Sequence, residues 1–111
     1  MEKNRKVVEK AQAIEMASLA EYQEGSVVSR TVIDRKAGTI TLFAFDEGQG
    51  LSEHVAPYDA LISIIDSEAQ VVICGRTVHL KEGEMMILPA DEPHALKAVK
   101  KFKMMLIMIK A

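Results

Sequence analysis

The chain has 111 residues, 49% of them apolar and 27% charged, with a formal net charge of −2. That suffices for one hydrophobic core but not for a second domain, and it leaves no basic footprint for nucleic acid. The longest apolar run, Met104 to Ile109, is far too short for a membrane-spanning helix.

The N-terminus is charged and mixed in polarity, without the pattern of a signal peptide. The single cysteine, Cys74, excludes an internal disulfide. Both features fit a cytoplasmic protein.

Good helix formers dominate residues 3–22, with no Gly or Pro, and Val7, Ala11, Ile14 and Leu19 fall roughly on one stripe. This predicts a short N-terminal helix that ends before Gly25 and packs on the body formed by the rest. The division is thus an N-terminal extension, 1–24, and a main domain, 25–111.

Beyond Gly25 the pattern changes to short β-branched and aromatic segments separated by turn residues. Strands are predicted over 27–33, 39–45, 61–65, 69–74, 77–80, 85–88 and 102–109. Asp46 to Gly50 reads as a loop, Gly75-Arg76 as a hairpin turn, and Pro89 to Pro93 as a second loop. About eight short strands with no helix between them predict an all-β sandwich or barrel. Cys74, inside an apolar strand, is expected to be buried and inert.

Met104 to Ile109 is apolar on both faces, and a strand of that kind is buried on both. One face meets the core; the N-terminal helix or a second subunit covers the other, and a homodimer is expected. The five methionines from Met85 to Met108 read as adaptable core filling. Lys100, Lys101 and Lys103 read as solvated lysines at a strand edge.

Two segments carry the chemistry. The first is Gly83, five residues, Pro89, then Asp91-Glu92-Pro93-His94; the second places His54 six residues after Gly48. Gly83, Pro89 and His94 fall in register with the second motif of the cupin superfamily, which this segment resembles. Asp91 replaces that motif's second glycine and Ala98 its asparagine. Gly48 and His54 match the start of the first motif. Ala56 stands where its second histidine belongs, Ala60 or Leu61 at its glutamate, and Ser67 at its closing glycine. The wording from Ser52 to Ala60 also resembles an uncharacterised bacterial subgroup of small cupins.

The resemblance covers residues 25–110 and implies a jelly-roll β-barrel with a ligand pocket in its mouth. Many cupins bind iron, manganese, nickel, copper or zinc through three histidines and a glutamate, and two of those four positions are histidine here, His54 and His94. A catalytic zinc site usually has three protein ligands, and non-haem iron commonly takes two histidines and a carboxylate. Asp59 is the candidate carboxylate. In an extended chain Ala56, Tyr58 and Ala60 share the face of His54 and Asp59 points away, unless Pro57 resets the parity. His79 lies at no family ligand position and reads as a strand histidine.

The pocket expected from this reading is lined by His54, Tyr58 and His94, with Met86 and Leu88 or their neighbours Met85 and Ile87 beneath. Three functions follow. One is a small-molecule-binding barrel with a partial metal site. Another is a metal-dependent enzyme, dioxygenase- or isomerase-like, using His54, His94, a carboxylate and Fe, Zn, Mn or Ni. The last is a sensory or interaction module, which the lack of a DNA-binding helix pair disfavours.

Overall fold

A computed structural model describes residues 8–110. Nine strands succeed one another: β1 (Val27–Arg35), β2 (Gly38–Phe45), β3 (Gly50–His54), β4 (Ala60–Asp66), β5 (Glu68–Ile73), β6 (Arg76–Lys81), β7 (Met85–Leu88), β8 (His94–Lys97) and β9 (Phe102–Ile109). They form a five-stranded sheet, β1-β2-β9-β4-β7, and a four-stranded sheet, β3-β8-β5-β6. Every pairing is antiparallel. This is the jelly-roll barrel expected from the sequence.

Alternation builds the core. Ala60, Ile62 and Ile64 of β4 and Ala69, Val71 and Ile73 of β5 turn inward, and the residues between them do not. At the centre Phe45 and Phe102, cross-strand partners on β2 and β9, stack with centroids 4.6 Å apart and rings 9° from parallel. Met104, Leu88 and Leu96 complete the filling. Met86 packs inward against this cluster, whereas Met85 is 59% exposed, so only part of the methionine set fills the core.

The predicted helix is not continuous. Its first residues, including Val7, lie outside those described. Over 8–22 the only helical element is a 3-10 turn, Met16–Ser18, and Ala11 has a positive φ of 61°. The stripe was too thin to hold a helix against solvent. Leu19, Ala20 and Tyr22 instead pack as a strap on Leu42, Ala44, Val28 and Met105, on the outer face of the five-stranded sheet.

Polar contacts pin that strap. Tyr22 Oη donates to Asp66 Oδ2 at 2.6 Å, and Lys103 Nζ donates to the Ala17 carbonyl at 2.5 Å. Lys103 is therefore a buried strut rather than a solvated edge lysine, and its ammonium also lies 4.9 Å from the Tyr22 ring centre. Burial, and then the hydrogen bond to Asp66, push the Tyr22 phenol well above its ordinary pKa.

Cys74 departs from expectation too. Ile73 pairs with Arg76, so the two-residue turn is Cys74-Gly75, with φ of 48° and 79°. Both residues being left-handed makes a hairpin turn of the primed kind, which sends the Cys74 side chain outward. The thiol is exposed and donates to Glu92 Oε1 at 2.8 Å, which pushes its pKa up. Among the described residues no helix is long and apolar enough to cross a membrane.

Candidate functional site

The two strands missing from the sequence reading, β3 and β8, are the ones that carry the histidines. Both are short, and four of the five β3 residues are exposed, so neither presents the alternation that marks a half-buried strand. Gly50 begins β3 because a Cβ there would run into the Leu96 carbonyl on β8. The antiparallel register then sets His54 opposite His94, and His94 opposite Ile73 of β5. Cross-strand partners project to one face, so both imidazoles share the inner face with the buried Ile73 side chain.

The two rings meet edge to face, centroids 4.3 Å apart, with Nε2 to Nε2 at 3.1 Å. His94 is buried and His54 exposed, so the pair spans from the barrel interior to solvent. Each Nδ1 is tied to the backbone two residues earlier, His54 to Ser52 O at 2.8 Å and His94 to Glu92 O at 3.1 Å. A carbonyl oxygen can only accept, so each Nδ1 carries the hydrogen. In the neutral tautomers that follow, both Nε2 lone pairs point into the same gap. Two lone pairs at 3.1 Å repel unless a cation, a proton or a metal ion, lies between them.

On His94 a proton is disfavoured. Burial holds the His94 pKa below its ordinary 6.5; the hydrogen bond to Glu92 O opposes this, and charge on His54 lowers it further. The donor arrangement also fits a metal ion. Ligating histidines characteristically fix their second ring nitrogen on a carbonyl or carboxylate, as both do here. With metal–nitrogen bonds of ~2.1 Å, two imidazole nitrogens on one ion stand roughly 3.0 to 3.4 Å apart, which brackets the observed separation.

The chain supplies only this half of a site. Among the described residues no group of three or more His, Cys, Asp or Glu side chains is placed to hold an ion. The Asp59 carboxylate takes the Ala90 N–H at 2.8 Å, and Asp91 N donates to Ala56 O at 2.8 Å. Asp59 thus staples the loop after β3 to the loop before β8, a positioning role that strand parity alone did not reveal. At the other family positions Ala60 and Ala98 are buried core methyl groups. Tyr58 is 36% exposed on the same loop. Leu88 is packed in the core and Met86 packs against that cluster, so neither is open to a ligand, and exposed His54 sets the histidine pair at the barrel's edge with solvent. His79 is exposed on β6, paired across the sheet with Gln70. A shallow groove of about 610 Å³ follows β3 and β8; its lining reaches Glu53 and Ala95 but includes neither histidine.

A small antiparallel barrel with paired histidines at its mouth defines a class, and solved structures give it a family. A conserved protein of unknown function from Streptococcus pyogenes is 32% identical, with a TM-score of 0.90 over 96% of this chain and 93% of that one. A cupin 2 conserved barrel domain protein from Leptotrichia buccalis is 39% identical, with a TM-score of 0.82 over 85% of this chain. The chain spans about half of that protein's length (46%). A cupin superfamily protein from Desulfitobacterium hafniense is 27% identical, with a TM-score of 0.89 over 96% of this chain and 97% of that one. No family model and no curated protein matches the chain. The chain belongs to the cupin superfamily, as a small cupin-type domain.

Proposed function

We propose that this cupin binds a small molecule at the barrel mouth through a divalent transition-metal ion held by His54 and His94. The observation that carries the proposal is the pair of anchored imidazoles whose Nε2 atoms face one another at 3.1 Å. Both nitrogens keep their lone pairs free, both rings are fixed in rotation, and His54 opens to solvent.

Two protein donors leave most of the coordination shell to water or to the ligand, so a molecule with oxygen donors completes the site. The ion supplies Lewis acidity when bound. The chain's own residues do the rest. Ser52 O and Glu92 O orient the rings, and Asp59 fixes the spacing of their loops.

Metal content tests this directly. The tag-free protein is dialysed against zinc, nickel, manganese or iron(II), freed of excess, and measured by elemental analysis beside His54→Ala and His94→Ala. Close to one ion per chain in the wild type, lost in either variant, is the expected result. No retained ion in any of the four, with the fold intact by circular dichroism, overturns the metal reading. A metal-free barrel whose paired histidines bind the ligand directly is then the reading that survives.

A further inference from the structure

The outer face of the four-stranded sheet carries a charge pattern that neither the core nor the histidine pair requires. Ala69, Val71 and Ile73 of β5 point into the barrel, so Glu68, Gln70 and Val72 point out. Register extends this outward set to both neighbouring strands. On β8, Lys97 lies opposite Gln70 and Ala95 opposite Val72. On β6, Lys81, His79 and Thr77 lie opposite Glu68, Gln70 and Val72. Lys100, just beyond β8, joins them by pairing with Glu68 at 2.8 Å.

Cations dominate this surface. Three ammoniums, Lys81, Lys97 and Lys100, stand against the one carboxylate of Glu68, an excess of positive charge on a chain whose net charge is −2. That carboxylate is already engaged. The hydrogen bond and charge of Lys100 hold Glu68 below its ordinary pKa, and His79 and Lys81 add to the effect, so the three basic groups surround it. Lys81, His79 and Lys97 are exposed, and among the described residues neither Lys81 nor Lys97 joins an ion pair. Glu47 and Glu53 line the groove on the β3 side, which confines the positive field to β8, β5 and β6.

We propose that this face docks an extended acidic segment of another protein. Its charge is complementary to such a segment, and so is its spacing. Lys81 and His79 are alternate residues of one strand, ~7 Å apart, and Lys97 stands two interstrand steps from His79, ~10 Å away. A peptide in extended conformation with acidic residues at alternate positions repeats its carboxylates every ~7 Å, so it meets two of these basic groups at once. Gln70, between Lys97 and His79, offers an amide to the peptide backbone, and the short side chains of Ala95, Val72 and Thr77 leave the surface low beside it. A nucleic acid is less well matched, because no aromatic side chain stands among these residues to stack a base.

Chemical-shift titration of the isotope-labelled protein with an eight-residue peptide of alternating Glu and Val tests the proposal, at ~50 mM salt so that screening is weak. The expected result is saturable shifts confined to β8, β5 and β6, with a Kd below ~1 mM. Lys81→Gln/Lys97→Gln weakens binding at least ~10-fold, whereas Lys36→Gln, an exposed lysine in the β1–β2 turn, leaves it unchanged. Both removed ammoniums are exposed, so the fold is retained, as the rest of the spectrum will check. Absence of shifts at ~1 mM peptide, shifts on another surface, or binding that survives the double substitution overturns the proposal. Tighter binding of octauridylate or of phosphatidylserine vesicles at the same residues also overturns it, assigning the face to a nucleic acid or a lipid surface.

Discussion

Truncating each histidine in turn separates a cation-accepting pair from a structural hydrogen bond. In chelator, His94→Ala removes a buried ring and leaves the Glu92 carbonyl without its imidazole donor. The lost packing and the lost hydrogen bond together cost about 2 kcal/mol. At ~4 °C per kcal/mol for a domain of this size, the melting temperature falls by about 8 °C. His54 is exposed, its removal relieves the facing lone pairs, and His54→Ala changes stability by no more than ~0.5 kcal/mol. Zinc at ~100 times its Kd then adds about 2.7 kcal/mol to the wild type and nothing to either variant. Urea unfolding with and without zinc reads the free energies, and a thermal scan reads the melting temperature. Equal losses for the two variants in chelator would refute the reasoning, because one ring would then be an imidazolium bonded to the other for structure alone. Equal zinc stabilisation of the wild type and the variants would refute it too.

Further outcomes follow from the same geometry. Burial depresses the folded-state pKa of His94 below 6.5, so the unfolded chain binds more protons in the interval between the two values. The metal-stripped protein therefore has its full stability above about pH 6.5 and loses it as pH falls toward the folded value; His94→Gln flattens this decline in pH-dependent urea melts. Gly50→Ala drives a Cβ against the Leu96 carbonyl, so it disrupts the β3–β8 pairing and abolishes metal retention while the five-stranded sheet persists, read by amide exchange on β2 and β9. Phe102→Ala deletes half of the stacked pair at the core and costs ~3–5 kcal/mol in urea unfolding. Tyr22→Phe leaves Asp66 without its phenol donor and costs ~1–2 kcal/mol, with faster amide exchange or proteolysis in the strap before residue 25.

Much of the barrel was legible because strands write themselves locally. Period-two burial in Ala60–Asp66 and Glu68–Ile73, and turn residues between apolar segments, depend on neighbours two residues apart. The spacing from Gly83 to His94 was legible for a related reason: a glycine at φ 88° and a proline-bounded loop fix a local path. Cys74 was misjudged because an apolar strand and a left-handed turn read alike until the register with Arg76 is known. The N-terminal stripe misled because helix propensity is worth little without a face to bury, and the outer sheet offered Leu19, Ala20 and Tyr22 a better one.

By itself, then, the sequence determined an all-β chain with two histidines at family spacing, since alternation, turn chemistry and motif intervals are short-range properties. Only the tertiary structure decided where the histidines stand relative to one another. His54 and His94 are 40 residues apart, and the β3–β8 register, with Gly50 allowing the close approach, puts their nitrogens 3.1 Å from each other. It also turned Asp59 into a loop staple, buried Lys103 beneath the strap, and gathered Lys97, His79 and Lys81 from two strands on one outer face. Each of these depends on which strands lie side by side, and that is settled by burying a common core rather than by any local signal.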